Sequence, residues 1–269
     1  MTNKKDKLPK EELPELLEKE DKSSIIPHNP LEGNRPELSI NLHDGSEEQI
    51  AIIIVHKDTP EYLNILLQSI AVTSFNNNYE IIVVDNGSGK DSQDFLDDIE
   101  TEVNSGVKLV RNENNLFWSE ACNKGAAAAD PNAKYFVFLH SDVVITNPSW
   151  LDVLLNVSES QTSGMVGIDS GQYMIQGNKV SFVQEWLVLF TRECFEKIGP
   201  WPLELPQIAH SFIMTMRAQS RGYKPQIINN PMAHHYQIFS LDVSEHERMT
   251  EKAMSVLPAL LRVSGSRDV

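Results

Sequence analysis

The spacing of apolar and polar positions changes character once along this chain, near Pro148. Before it, short β-branched blocks alternate with helical stretches. Ile50–Val55, Glu80–Val84, Val107–Val110 and Tyr135–Leu139 have the length and branching of buried strands. A helix follows the first, opened by Pro60 with Asp58 or Thr59 as cap and showing Leu63, Leu66, Leu67 and Ile70 on one face. Phe95, Leu96, Ile99 and Val103 mark the inner face of an acidic second helix. An Ala-rich third runs from a Ser119 cap to Ala129 and ends at Asp130-Pro131. Thr146-Asn147-Pro148 opens a fourth. Such strand-then-helix units predict an α/β fold with a mostly parallel central sheet and helices on both faces. Right-handed crossovers then bring the carboxyl ends of all these strands to one rim.

Beyond Pro148 the pattern becomes antiparallel in type. Met165–Ile168 reads as a short strand, and Gln172–Val183 as a hairpin turning at Gly177-Asn178. Glu185–Phe190 reads as a further strand. Thr191 caps a short helix closed by Gly199, and a helix from Ile208 to Arg221 ends at Gly222. Ile227-Ile228 and Ala233–Tyr236 complete the domain. Three parts follow: an acidic, Pro-punctuated and partly disordered arm over 1–49, a globular domain over 50–239, and a C-terminal helix and tail over 240–269. Leu13, Leu16 and Leu17 could line one face of a short helix in the arm, which makes a protein partner conceivable there.

Each strand of the first half stops on a polar cluster. Val55 leads into His56-Lys57-Asp58, Val84 into Asp85-Asn86-Gly87-Ser88, and Leu139 into His140-Ser141-Asp142. Polar groups at the carboxyl ends of sheet strands are where open α/β folds hold ligands. Asp142 is a hard oxygen ligand suited to Mg²⁺ or Mn²⁺, and His140 lies two residues back on the same strand face. The bland reading of Asp142 is a cap on the next turn. Neither GxGxxG nor GxxxxGK[ST] occurs, which disfavours a dinucleotide-binding domain and a P-loop NTPase.

Composition narrows the partners. The chain has 269 residues, is 41% hydrophobic and carries a formal charge of −15. That charge argues against nucleic acid, yet leaves room for a nucleotide whose phosphates ride on a divalent cation. No apolar run approaches the roughly 18 residues that span a membrane, and no secretory leader is evident. Cys122 and Cys194, far apart and without metal spacing, suit a reducing, cytoplasmic setting.

The order of segments resembles family 2 glycosyltransferases of the GT-A fold. The resemblance rests on Ile52–Val55 with Thr59–Leu63, Glu80–Ser88, Arg111–Leu116, Ala121–Gly125, Phe138–Asp142, Phe190–Gly199, Arg221–Lys224 and His234–Tyr236. It implies a nucleoside-diphosphate sugar as donor and a carbohydrate, lipid-linked group or protein as acceptor. The donor-binding positions it implies are Val55, His56, Asp58, Asp85, Gly87, Ser88, Asn115, Asn123 and Ser141. Asp142 resembles the last residue of a DxD-type metal motif, with His140 at its first position and His235, or His234, completing the shell. Mn²⁺ is favoured over Mg²⁺ because imidazole is a poor Mg²⁺ ligand. A strand end packed under the tail is the bland reading of the His pair.

The acceptor side departs from the family. The acidic pair expected ahead of the Arg221-Gly222-Tyr223 helix falls on His210-Ser211, so the usual base carboxylate is absent there. An inverting transfer still needs a group to take the acceptor proton. His210, Glu185 and Glu204 are the candidates, with Trp186 and Trp201 as aromatic surfaces for an acceptor sugar. Two other readings stay open: a catalytically inactive GT-A domain used for sugar binding or assembly, and a nucleotidyltransferase, which lacks its Gly-rich basic loop here.

Overall fold

A computed structural model describes residues 49–74, 77–101, 106–175, 178–205 and 209–237. The acidic arm up to residue 48, Val103, Ile208 and the C-terminal stretch from 240 lie outside the described residues.

The strands are β1 (Gln49–His56), β2 (Tyr79–Asn86), β3 (Val107–Asn112), β4 (Ala133–His140), β5 (Val143–Ile145), β6 (Met165–Gly167), β7 (Ser170–Ile175), β8 (Asn178–Val183), β9 (Leu187–Thr191), β10 (Gln226–Ile227) and β11 (Ala233–His235). The helices are α1 (Pro60–Thr73), α2 (Lys90–Thr101), α3 (Phe117–Ala128), α4 (Trp150–Glu159), α5 (Arg192–Ile198) and α6 (His210–Ser220). The central sheet runs β10-β6-β9-β4-β1-β2-β3. β1 is parallel to β2 and β4, β2 is parallel to β3, and β9 is antiparallel to β4 and β6. Two small antiparallel pairs, β5–β11 and β7–β8, complete the described fold.

The continuous apolar strands follow from burial on both faces. Ile52, Ile54, Val83 and Leu139 pack against α1, α2 and α4. Ile53, Val84 and Phe138 pack against α3, α5 and α6. α3 rides close to the sheet: a Cβ on Gly125 would stand 2.4 Å from Ile53 Cγ2. Alternation along the strands carries these two faces to the rim. Val55 and His140 extend the α3 face, and so does Asn86. His56 and Asp85 extend the opposite one.

Four local expectations are corrected. α3 starts at Phe117, so Ser119 sits buried inside the helix with its hydroxyl donating to Leu205 O at 3.3 Å. Asn178 belongs to β8, pairing with Ile175, rather than to the turn. Glu185 and Trp186 form a turn ahead of β9 instead of its first residues. Thr59 places no side-chain cap on α1; its hydroxyl meets Ser141 Oγ at 3.1 Å. Thr191, by contrast, caps α5 by accepting from Cys194 N at 3.2 Å, and Gly199 closes that helix at φ 84°.

Two register features build the site. Val55 pairs with His140 and His56 with Asp85, which sets the three strand ends level. β11 pairs with β5, His235 opposite Val143, and so returns the late histidine to the strand end that carries Asp142.

Candidate active site

An open cleft of about 640 Å³, mouth included, sits over the carboxyl ends of β1, β2 and β4. His140 and Asp142 line it, and His235 converges on them from behind the lining, the candidate ligand atoms of the three all lying within 4.8 Å of one another. Asp142 is 6% exposed. Its Oδ1 lies 3.1 Å from His235 Nε2 and 3.9 Å from His140 Nδ1. Tyr236 N donates to the Asp142 carbonyl at 2.9 Å, which locks β11 to this loop. Trp186 stacks on His235 with ring centroids 5.1 Å apart and orients that imidazole. Burial lowers the His140 pKa to about 4, with Glu185 pulling it upward. His140 is therefore neutral near pH 7, with a nitrogen lone pair to offer. Two imidazoles and one carboxylate are a donor set that fits Mn²⁺ and similar ions better than Mg²⁺.

The second part of the cleft lies at the start of α6. Glu185 Oε2 accepts from Ser211 Oγ at 2.8 Å. Glu185 Oε1 stands 3.6 Å from His210 Nε2. Burial opposes the charge on Glu185, but His210, His140 and Ser211 outweigh it and hold the carboxyl well below the usual carboxylate range. His210 is 2% exposed, packed edge-on to Trp201 and tilted against Trp118.

Residues 51–218 match the model of the family described as "Glycosyl transferase family 2". This chain belongs to that family. It is 28% identical over 123 residues to the O-antigen biosynthesis protein RfbC of Myxococcus xanthus, a match spanning 44% of this chain and 9% of RfbC. Among solved structures, it resembles GalNAc-T7 with UDP, GalNAc and Mn²⁺ at TM-score 0.60 and 14% identity, covering 76% of this chain and 48% of that one. It also resembles the mannosyltransferase PcManGT of Pyrobaculum calidifontis, in complex with GDP-Man and Mn²⁺, at TM-score 0.57 and 15% identity, covering 70% and 56%. The chain thus spans about a tenth of the curated relative and about half of each structural one. Those likenesses establish the GT-A fold.

Within this family 2 domain the expected site residues divide. Val55, Asn115, Ser141, Asp142, His140, Glu185 and His210 line the cleft. His56 and Asp85 do not. His56 is fully buried on the opposite sheet face, and burial lowers its pKa to about 4. Asp85, also fully buried, accepts from Ser88 N at 3.2 Å and from Gln93 Nε2 at 2.5 Å. Asp58 is exposed and binds the neighbouring loop, accepting from Gly89 N at 2.6 Å while its own N–H donates to Ser88 Oγ. Gly87, at φ +74°, allows close approach to the Asn114–Asn115 backbone rather than to a ligand: a Cβ there would stand 2.6 Å from Asn114 C.

Three expectations are corrected outright. Both amide atoms of Asn123 serve Trp201, donating to its O at 3.0 Å and accepting from its N at 2.9 Å. Trp201 is 0% exposed among Phe138, Phe190 and Trp118, so it is core and offers no surface to a sugar. Glu204 is exposed and does not line the cleft. Residues missed as candidates are Asn86, Thr59 and Trp118, while Lys57 lines the cleft from within the expected His56–Asp58 loop. Asn86 was legible by parity, since it lies two residues beyond Val84 on the cleft face. Its amide donates to Asn115 Oδ1 at 2.8 Å, and its own Oδ1 accepts from Leu116 N. Trp118 carried no signal, because it reads as an ordinary helix residue.

Proposed function

We propose that this domain transfers a sugar from a nucleoside-diphosphate donor to a hydroxyl acceptor, with inversion at the anomeric carbon and with a divalent cation. The observation that carries this reading is the His140–Asp142–His235 set, whose His140 and Asp142 line the same cleft as Val55, Asn86 and Lys57. Structural relatives captured with Mn²⁺ and with UDP or GDP-Man support it. Mn²⁺ is the ion the donor set suits best, and bound there it would neutralise charge building on the departing diphosphate. His140, Asp142 and His235 would hold it. Asn86 and Asn115 fix the loop wall beside the donor, and Lys57 lines the rim with its ammonium held by Asp58 and the Gly87 carbonyl. Trp186, half-buried and stacked on His235, is the remaining aromatic candidate for an acceptor surface. Among the described residues no helix is long and apolar enough to cross a membrane. The two cysteines are free and buried, which supports a reducing, cytoplasmic site of action.

The test is a thermal-shift panel of UDP, GDP and dTDP, each with and without Mn²⁺. Binding to the folded state raises the midpoint by mass action. One nucleotide is expected to stabilise the wild type only with Mn²⁺ and to leave Asp142→Ala unmoved. No shift with any of them would remove the donor reading.

A further inference from the structure

The start of α6 lacks the carboxylate that proton removal needs, yet a carboxylate stands there. It comes from a different element. We propose that Glu185, in the turn between β8 and β9, is the general base for transfer, and that His210 and Ser211 are the residues that position it. This inference rests on the donor reading above and names the group that completes it.

Exposure decides between the candidates. His210 is 2% exposed, and neither ring nitrogen is accessible. An acceptor hydroxyl cannot reach it without moving the wall. Glu204 is outside the cleft. The Glu185 side chain is 21% exposed and lines the cleft beside the metal-ligand set. Its two oxygens are not equivalent. Oε2 is held by the Ser211 hydroxyl at 2.8 Å. Oε1 is 3.6 Å from His210 Nε2, a long contact that occupies at most one of its lone pairs and leaves another for an incoming hydroxyl. The residues that stand where a family carboxylate would be therefore grip one supplied from the adjacent turn.

The step balances as a single displacement. The acceptor oxygen forms a bond to the anomeric carbon as the carbon–oxygen bond to the diphosphate breaks. The bonding pair leaves on the diphosphate, and the acceptor proton passes to Glu185 Oε1. The contacts that keep Glu185 ionised also weaken it as a base, so its contribution lies at the low end of the roughly 10²–10⁴-fold typical of a positioned base.

The test uses the full chain with Mn²⁺ and a panel of UDP-glucose, UDP-N-acetylglucosamine, GDP-mannose and dTDP-rhamnose, with methyl glycosides as acceptors. Release of nucleoside diphosphate is the readout, and binding of the matching nucleoside diphosphate with Mn²⁺ is measured alongside. Glu185→Gln is expected to lose at least about 100-fold in kcat with that binding unchanged, and Glu185→Asp to recover part of the loss. Ser211→Ala is expected to lose about 10-fold in kcat with donor KM unchanged, restored by Ser211→Thr. Turnover in Glu185→Gln within about 3-fold of wild type would overturn the base while leaving the donor reading intact. Loss of nucleotide binding in Glu185→Gln would overturn it too, by showing a structural role. A wild type that binds no nucleoside diphosphate would sink the donor reading and this inference together.

Discussion

The two faces of the sheet arrive at the same rim and end differently. On the α1/α2 face, His56 and Asp85 are sealed in, and the loops after β1 and β2 are tied to each other through Lys57, Asp58, Ser88 and Gly89. At the cleft, His140 and Asn86 arrive from the α3 face, Asp142 and its neighbour His235 come from the β5–β11 ribbon packed on α1, and Glu185 comes from the turn before β9. Both sets of groups are polar, and only the second reaches the open cleft. The first face uses its polar residues to fix loop geometry. The second leaves several of them lining open space.

That contrast breaks most sharply at Asp142. Asp142→Ala should lose several kcal/mol of transition-state stabilisation, on the order of 100-fold or more in donor turnover, with far-UV circular dichroism unchanged. The sealed face should answer through stability instead. His56 has an ordinary pKa of 6.5 and a folded value of about 4, with burial the main cause. Between those values the unfolded chain binds a proton that the folded chain refuses. Stability is therefore full above pH 6.5 and falls as the pH drops toward 4, by about 3 kcal/mol. His140 adds a slope of the same sign, so denaturant melts across this range should lose only the His56 share in His56→Leu and keep the His140 share.

Gly87→Ala comes next. A left-handed alanine costs about 1–2 kcal/mol even before the contact with Asn114, and urea unfolding will report it. The smallest effect should be at Glu204, exposed and outside the cleft. Glu204→Gln should keep turnover within about 2-fold, measured beside Glu185→Gln.

The contrast also explains what could be read from the chain. Block length and branching located the strands because both sheet faces are covered, and burial then leaves a continuous apolar run. Pairing level strand ends required only the crossover rule. The side on which each end points needed more care. Asp85 drew attention as the charged residue, but Val84 lies on the α3 face and parity assigns Asn86 to the cleft. Gly87 and Asn123 look like ligand-binding residues by type, and their work is internal: Gly87 lets two loops approach, and Asn123, within α3, holds the Trp201 backbone. Glu185 could be named as a candidate but not placed, because the turn before β9 and the start of α6 are distant in sequence. Their meeting depends on β9 running antiparallel between β4 and β6. The late histidine was placed by family resemblance, and the β5–β11 pairing is the physical reason it reaches Asp142.

The most direct measurement is pulsed EPR of Mn²⁺ bound with the nucleoside diphosphate that stabilises the protein. The account predicts nitrogen couplings from two imidazoles and a phosphorus coupling from the diphosphate on the same ion. The nitrogen signal should weaken in His235→Ala, and both should vanish in Asp142→Ala. A fully hydrated Mn²⁺ spectrum without nitrogen coupling, unchanged by either substitution, would contradict it.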